Sequence, residues 1–404
     1  MSTSLLYHGF GVRGYRHVRT EYVGGEVLIT IDQDREEYRC SACGSQRVNR
    51  HGVVPRVFRT VPIGRKVVKL CFQVPRLGCS ACGARRQAKL EFADPMRHHT
   101  RSFARYALEL SSHMTIQDVA DHLNVSWDVV KEIQREYLQR HFARPKLKHV
   151  RQIAIDEISI GRGHRFVTVV MDLESGAVLF VGDGKGADAL LPFWRRLRAS
   201  RAKIKAVAMD MSRAYINAVT THLPKAKIVF DHFHVIKLYN EKLSELRRQL
   251  YHDLTDTLHK DVLKGIRWLL LKNPDNLDDK KNERQRLEEA LQLNAPLATA
   301  YYMKELLRQL WEQGNKAEAR RFLKDWIAMA QSSSIRMLQN FAKTLALHRE
   351  GILNYYDYPI STGPLEGTNN KIKTMKRQAY GFRDLAFFKL KILGIHMTRY
   401  ELVG

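Results

Sequence analysis

The hydrophobic positions change period several times along this 404-residue chain, and each change marks a new kind of element. In Val67-Val68-Lys69-Leu70-Cys71-Phe72-Gln73-Val74 apolar and polar side chains nearly alternate, which predicts strands. From Ser111 to Arg140 the period becomes about 3.6. Ile116, Val119, Ala120 and Leu123 mark one helix face, Asn124-Val125-Ser126 breaks the pattern, and Val129, Val130 and Ile133 mark a second helix. This is a helix-turn-helix pattern in which Ala120 leaves room for a close crossing and Ser126 is placed to cap the second helix. Trp127, Lys131 and Arg135 would then face a DNA groove. Arg144-Pro145-Lys146-Leu147-Lys148 reads as a basic linker. Strand patterns return at residues 151–158, 165–172 and 177–181, with Glu174-Ser175-Gly176 as a turn. A helix near 187–201, a strand over 204–209 ending in Asp210, a helix near 213–221 and a strand over 227–230 ending in Asp231 follow. Residues 235–356 are helix-forming almost throughout, with Trp268, Trp311 and Trp326 at isolated positions and a loop over 273–281.

The order β-β-β-α-β-α-β is that of the ribonuclease H-like fold, in which acids on the first and fourth strands meet at a sheet edge. Asp156 and Asp210 occupy those places. Glu157, the neighbour of Asp156, points to the opposite strand face. Two divalent ions about 3.5–4 Å apart need several hard oxygen ligands, so a third acid is required. Glu366 is the candidate, on a helix expected to start at Pro364 behind Ser361-Thr362-Gly363. On that helix Glu366, Asn370, Lys373 and Arg377 share one face, where the cations and amides would hold a phosphodiester. Each acid also has an ordinary structural reading: a surface acid at Asp156, a cap at Asp210, a first-turn acid at Glu366. Their joint placement favours the catalytic one.

Charge points the same way. Lys and Arg outnumber Asp and Glu by 67 to 42, a net +25, of which residues 1–150 carry +11 and the rest +14. Such an excess implies a polyanionic partner, with nucleic acid the leading class. No apolar run reaches membrane-spanning length and the N-terminus lacks a signal-peptide core, so a soluble intracellular protein is expected. In a reducing compartment a disulfide framework is disfavoured, and the repeated C-S-A-C-G at Cys40, Cys43, Cys79 and Cys82 predicts a four-thiolate zinc site. Strands rather than a finger helix separate the two knuckles, as in a zinc ribbon. Cys71, the odd cysteine, is expected to pack in a strand core rather than bind metal.

Together, the two C-x-x-C knuckles, the helix-turn-helix, Ile-Ala-Ile-Asp156-Glu157, Ala-Val-Ala-Met-Asp210-Met-Ser, Asp231-His-Phe-His234 and Gly363-Pro-Leu-Glu366-Gly-Thr-Asn-Asn resemble the bacterial insertion-sequence transposases of the ISL-three family, in the DDE group. The resemblance implies a multi-domain α+β and α/β chain. A zinc ribbon would span 1–92, a helix-turn-helix with its linker 93–149, and a ribonuclease H-like catalytic domain 150–404, with a helical insertion at about 240–355. It implies that Asp156, Asp210 and Glu366 form the triad and hold two Mg²⁺ or Mn²⁺, that structural Zn²⁺ sits on the cysteines, and that Asp231 and His234 form an accessory D-x-x-H element. The expected partners are double-stranded DNA, as terminal inverted repeats and target, and further copies of the chain in a dimer or larger assembly. The expected place is the bacterial cytoplasm, at the nucleoid. A DNA-binding regulator and a ribonuclease H-like nuclease that cuts without joining are the alternatives.

Overall fold

The computed structural model describes residues 4–161, 163 and 165–396. The chain divides into two compact units. The first comprises the described residues up to Ala143 together with Gln378–Leu390, and the second comprises Arg144–Arg377 with Lys391–His396.

In the first unit, strands β1 (Arg16–Val23), β2 (Glu26–Asp32), β3 (Val48–Ile63), β4 (Lys66–Cys79) and β5 (Arg85–Gln87) form one sheet in the order β1-β2-β4-β3, with β5 pairing on β4. The period-2 pattern seen in the sequence buries Val27, Ile29 and Ile31 of β2 and Val68, Leu70, Phe72 and Val74 of β4 in one apolar cluster, which Phe58 and Phe92 close edge to face. β3 and β4 form a long antiparallel hairpin whose open end sets Val48 opposite Cys79. That register brings the first knuckle, just before β3, to the second, at the end of β4. Cys71 lies within β4 but not in its core: strand alternation turns it to the face opposite Leu70 and Phe72, where it is half-buried and outside the apolar cluster, contrary to the expected core packing.

Three helices follow: Arg101–Leu110, Ile116–Leu123 and Trp127–His141. Thr115 and Asp118 make a reciprocal capping box, and Asn124 ends the middle helix in the left-handed conformation. Val119, Ala120, Leu123, Val130 and Ile133 pack with Phe103 and Ala107 in a core of their own. The turn is therefore the one the pattern predicts. Ser126 stands at the cap position of the last helix, but its side chain accepts no capping hydrogen bond, contrary to the sequence reading.

In the second unit, β6 (Gln152–Gly161), β7 (Arg165–Asp172), β8 (Val178–Asp183), β9 (Ala206–Met209) and β10 (Lys227–Phe230) form a sheet in the order β10-β9-β6-β7-β8. β6, β7 and β8 are antiparallel neighbours, whereas β6, β9 and β10 run parallel, joined by helices Leu191–Ser200 and Arg213–His222. Between His232 and Tyr356 the regular elements are all helical, beginning with the 22-residue helix His232–Asp253. Trp326 is the centre of this region's packing: fully buried, it donates its indole N–H to the Met303 carbonyl at 2.9 Å. The stretch 273–281, read as a loop, contains two short 3-10 turns. The buried Glu283 carboxylate braces it by accepting from Lys272 Nζ and the Asp278 N–H. No helix of the described residues is long and apolar enough to cross a membrane.

Candidate nucleic-acid-processing site

At the zinc ribbon, Cys40 and Cys82 Sγ lie 3.7 Å apart and Cys43 and Cys79 Sγ 3.6 Å apart. All four sulfurs fall within 4.8 Å of one another. A tetrahedral zinc with Zn–S bonds of about 2.3 Å requires sulfurs about 3.8 Å apart, so the set fits. Gly44 and Gly83, both at positive φ, close the knuckle turns. The backbone N–H groups of Cys43 and Ala42 point at Cys40 and hold its thiol below the usual range, while, against the pull of the Ala84 N–H, the neighbouring thiols push Cys82 up, as expected where four sulfurs crowd one site.

The second cluster gathers at the ends of the parallel strands. Gln152, Ile153 and Ala154 of β6 pair with Ala206, Val207 and Ala208 of β9, and this register, continued by two residues, sets Asp156 level with Asp210. Met209 pairs with Phe230 of β10, which sets Asp210 level with Asp231. Three aspartates therefore occupy one row across three strands. Burial raises the pKa of Asp156, with the charge of Asp210 acting in the same direction. Asp156 accepts from the Glu157 N–H at 2.8 Å. Asp210 accepts from the Ser212 N–H at 3.0 Å. Glu157, on the other face, accepts from Tyr215 Oη at 3.2 Å.

Glu366 stands in the first turn of the helix Gly363–Gln378, which starts one residue earlier than predicted. Glu366, Asn370, Lys373 and Arg377 are all exposed, while Leu365, Thr368, Asn369 and Ile372 face inward. Among the described residues only the four cysteines form a group of three or more such ligands drawn within 4.8 Å, so the three acids are not clustered that tightly. The inward face holds a residue that the sequence reading passed over: Asn369 Nδ2 donates to Asp156 Oδ2 at 2.8 Å.

Asp231 fixes the start of this helix. Only 2% exposed, its carboxylate accepts from the Phe233 N–H at 3.1 Å, from the Thr362 N–H at 3.2 Å and from Thr362 Oγ1. Burial alone would raise its pKa, but His234, Thr362 and the Phe233 N–H outweigh it and hold the carboxyl at about 2. His234 Nδ1 sits 3.5 Å from Asp231, which raises the imidazole pKa against the effect of burial, and the charges of Asp156 and Asp210 act on it too. Thr362 in turn accepts from the Glu366 N–H at 2.8 Å, so Asp231 is coupled through one residue to the Glu366 turn. Replacing Thr362 with Val should cost about 1–3 kcal/mol, because it removes a donor from a buried carboxylate. A thermal melt against Thr362→Ser, which keeps the hydroxyl, checks this. Equal melting of the two variants would refute the clamp.

Lys131 and Arg135, expected to face a groove, are engaged within the first unit. Asp384 Oδ2 lies 3.1 Å from Lys131 Nζ and 2.5 Å from Arg135 Nη2, and the Phe387 ring lies beneath both cations. Trp127 remains exposed, with Lys131 Nζ 4.9 Å from its ring. Of the three tryptophans singled out in the helical region, Trp326 is core and Trp311 packs against it. Trp268 is 65% exposed, beneath the Arg267 guanidinium.

Three family models match the chain: a zinc-finger of transposase IS204/IS1001/IS1096/IS1165 over residues 36–82, a helix-turn-helix domain of transposase family ISL3 over 88–138, and a transposase over 153–392. The chain is 34% identical over 391 residues, 95% of each chain, to the transposase for insertion sequence element IS1001 of Bordetella parapertussis. It is 28% identical over 370 residues to the transposase for insertion sequence element IS1557 of Mycobacterium tuberculosis, covering 85% of this chain and 82% of that one. A solved structure, the Drosophila P element transposase strand transfer complex, aligns at TM-score 0.39 and 10% identity over 74% of this chain and 91% of its own, a likeness that carries no argument. With a ribbon, a helix-turn-helix and a transposase region matched in order, and near-complete coverage of an insertion-sequence enzyme, the chain belongs to the ISL3 family of DNA-binding transposases.

Proposed function

We propose that this transposase cuts at the 3′ ends of its element and joins them to target DNA in a ribonuclease H-like site formed by Asp156, Asp210 and Glu366. The observation that carries this is the level placement of Asp156, within β6, and Asp210, just past the end of the adjacent parallel strand β9, with the Glu366 helix tied to Asp156 by Asn369. The donor set suits divalent cations. It is all hard oxygen, and Asp156 is raised by its own burial and by Asp210, an electrostatic cost that a dication relieves. Bound Mg²⁺ or Mn²⁺ would supply an activated water at neutral pH and neutralise charge developing on the phosphate.

The chain's own residues do the rest. Lys373 and Arg377, exposed on the same helix two and three turns after Glu366, neutralise and orient the DNA backbone, and Asn370 donates to a phosphate oxygen. Water attacks the phosphorus at the element's end and the bond to the 3′-oxygen breaks. The freed 3′-hydroxyl then displaces the 3′-oxygen of a target phosphodiester in line, so no covalent enzyme intermediate forms.

On this reading the ribbon (1–92) positions the terminal inverted repeats, and the helix-turn-helix (93–149) reads them through Trp127 and, where the Asp384 pairing opens, through Lys131 and Arg135. The catalytic domain is 150–404, with the helices at about 240–355 as an insertion. Two copies of the chain synapse two ends. The test is a strand-transfer assay with pre-cut inverted-repeat ends in Mg²⁺. Covalent joining is expected; free cutting without joining would favour a nuclease, and end binding without either would favour a regulator.

A further inference from the structure

Asn369 is placed to do more than pack. It is 5% exposed on the inward face of its helix, between Leu365 and Ile372, where a polar side chain is costly unless both ends of the amide are used. One end is used: Nδ2 donates to Asp156 Oδ2 at 2.8 Å. This contact fixes the orientation of the amide, since the reverse rotamer would turn its oxygen onto a carboxylate oxygen. The other end, Oδ1, is buried without a hydrogen-bond partner. Glu366 lies one helical turn before Asn369 on the same helix, so the amide that meets the strand acid and the helix acid are carried by one element.

We infer that Asn369 is a positioning residue of the cation site, holding the Asp156 carboxylate in its ligating orientation and presenting its own amide oxygen to the same cation. The inference rests on the metal-ion reading of the Asp156 and Asp210 row. It assigns a hard oxygen to a position where a neutral donor adds no repulsion to the carboxylates already present. It also accounts for the orphaned buried oxygen, which a hydrogen bond within the fold does not.

The test is Mn²⁺ affinity, measured by electron paramagnetic resonance on the full chain bound to pre-cut ends that carry a 3′-deoxy terminus, so that no joining occurs. Asn369→Ala is expected to weaken Mn²⁺ binding about tenfold or more, the scale on which groups orienting metal ligands act. Asn369→Asp keeps an oxygen and adds charge. It should lower the melting temperature of the metal-free protein by repulsion with Asp156, and should gain more melting temperature from Mn²⁺ than the wild type does. A merely structural amide would give the first effect without the second. Mn²⁺ affinity in Asn369→Ala within twofold of wild type, or weaker Mn²⁺ binding in Asn369→Asp than in Asn369→Ala, overturns the inference. Asp156→Ala separates the two levels: if it abolishes Mn²⁺ binding while Asn369→Ala does not, only the inference about Asn369 falls. If it too leaves Mn²⁺ binding unchanged, the metal-ion reading falls with it.

Discussion

Asp156→Ala is expected to reduce strand transfer by on the order of a thousandfold or more, the scale seen when a group that stabilises transition-state charge is removed, while binding of the element's ends stays near wild type. Asp156 lies within β6, the central strand of its sheet, and is only half-buried, while Ile153 and Ile155 beside it carry the apolar core, so truncation removes the carboxylate and leaves that core in place. Asp156→Asn is the sharper variant. It preserves shape and removes the charge that burial and Asp210 already make unfavourable in the absence of a cation, so the metal-free protein should be as stable as wild type or more so. Activity down and stability level or up is a signature that a structural role for Asp156 does not produce. The check is a joining assay beside a thermal melt in chelator. An Asp156→Asn protein that joins at wild-type rate would remove Asp156 from the chemistry.

The second large effect is at the ribbon. Zinc bound by four thiolates contributes on the order of 10–16 kcal/mol to folding in isolated zinc modules, far more than the small apolar cluster beside it can offer. That cluster consists of Tyr38, Leu77 and Ala88 with Val48 against them, whereas the main sheet core of Val27, Ile29, Leu70, Phe72 and Phe58 is separate. Cys79→Ala, or removal of zinc by a chelator, should therefore melt the knuckles and the open end of the β3–β4 hairpin and leave the rest of the sheet folded. Hydrogen exchange would show protection lost around residues 38–50 and 76–88 and kept around 27–31 and 68–74. Binding to inverted-repeat ends should fall before nonspecific nicking does. Uniform loss of protection over the whole first unit would contradict this division, as would unchanged end binding in a zinc-free protein.

Much of this was legible in the sequence, for identifiable reasons. Strands β9 and β10 are short apolar runs closed by Asp210 and Asp231, and both the run and its terminal acid can be read locally. The helix-turn-helix could be placed because the 3.6-residue period on either side and the break at Asn124-Val125-Ser126 act within a few residues of one another, whereas the Thr115 capping box went unread. The zinc site followed from two identical knuckles. What could not be read depended on distance. Nothing near Lys131 or Arg135 foretells that Asp384, 249 residues from Arg135, engages both. Asn369 did carry a signal. The face containing Leu365, Thr368, Asn369 and Ile372 has the spacing of a buried stripe, and an amide in such a stripe asks for a partner. Counting from Glu366 instead selected Asn370, on the exposed face. Ser126 has the right identity and position for a cap yet makes no capping bond, a detail set by side-chain rotation rather than by sequence.

The most direct measurement is anomalous diffraction from Mn²⁺ in crystals of the chain bound to pre-cut ends. Two manganese peaks about 3.5–4 Å apart are predicted, with oxygens of Asp156, Asp210 and Glu366 as ligands. Manganese bound elsewhere, or a Glu366 carboxylate that stays out of ligand distance with DNA seated at Asp156, would contradict the account.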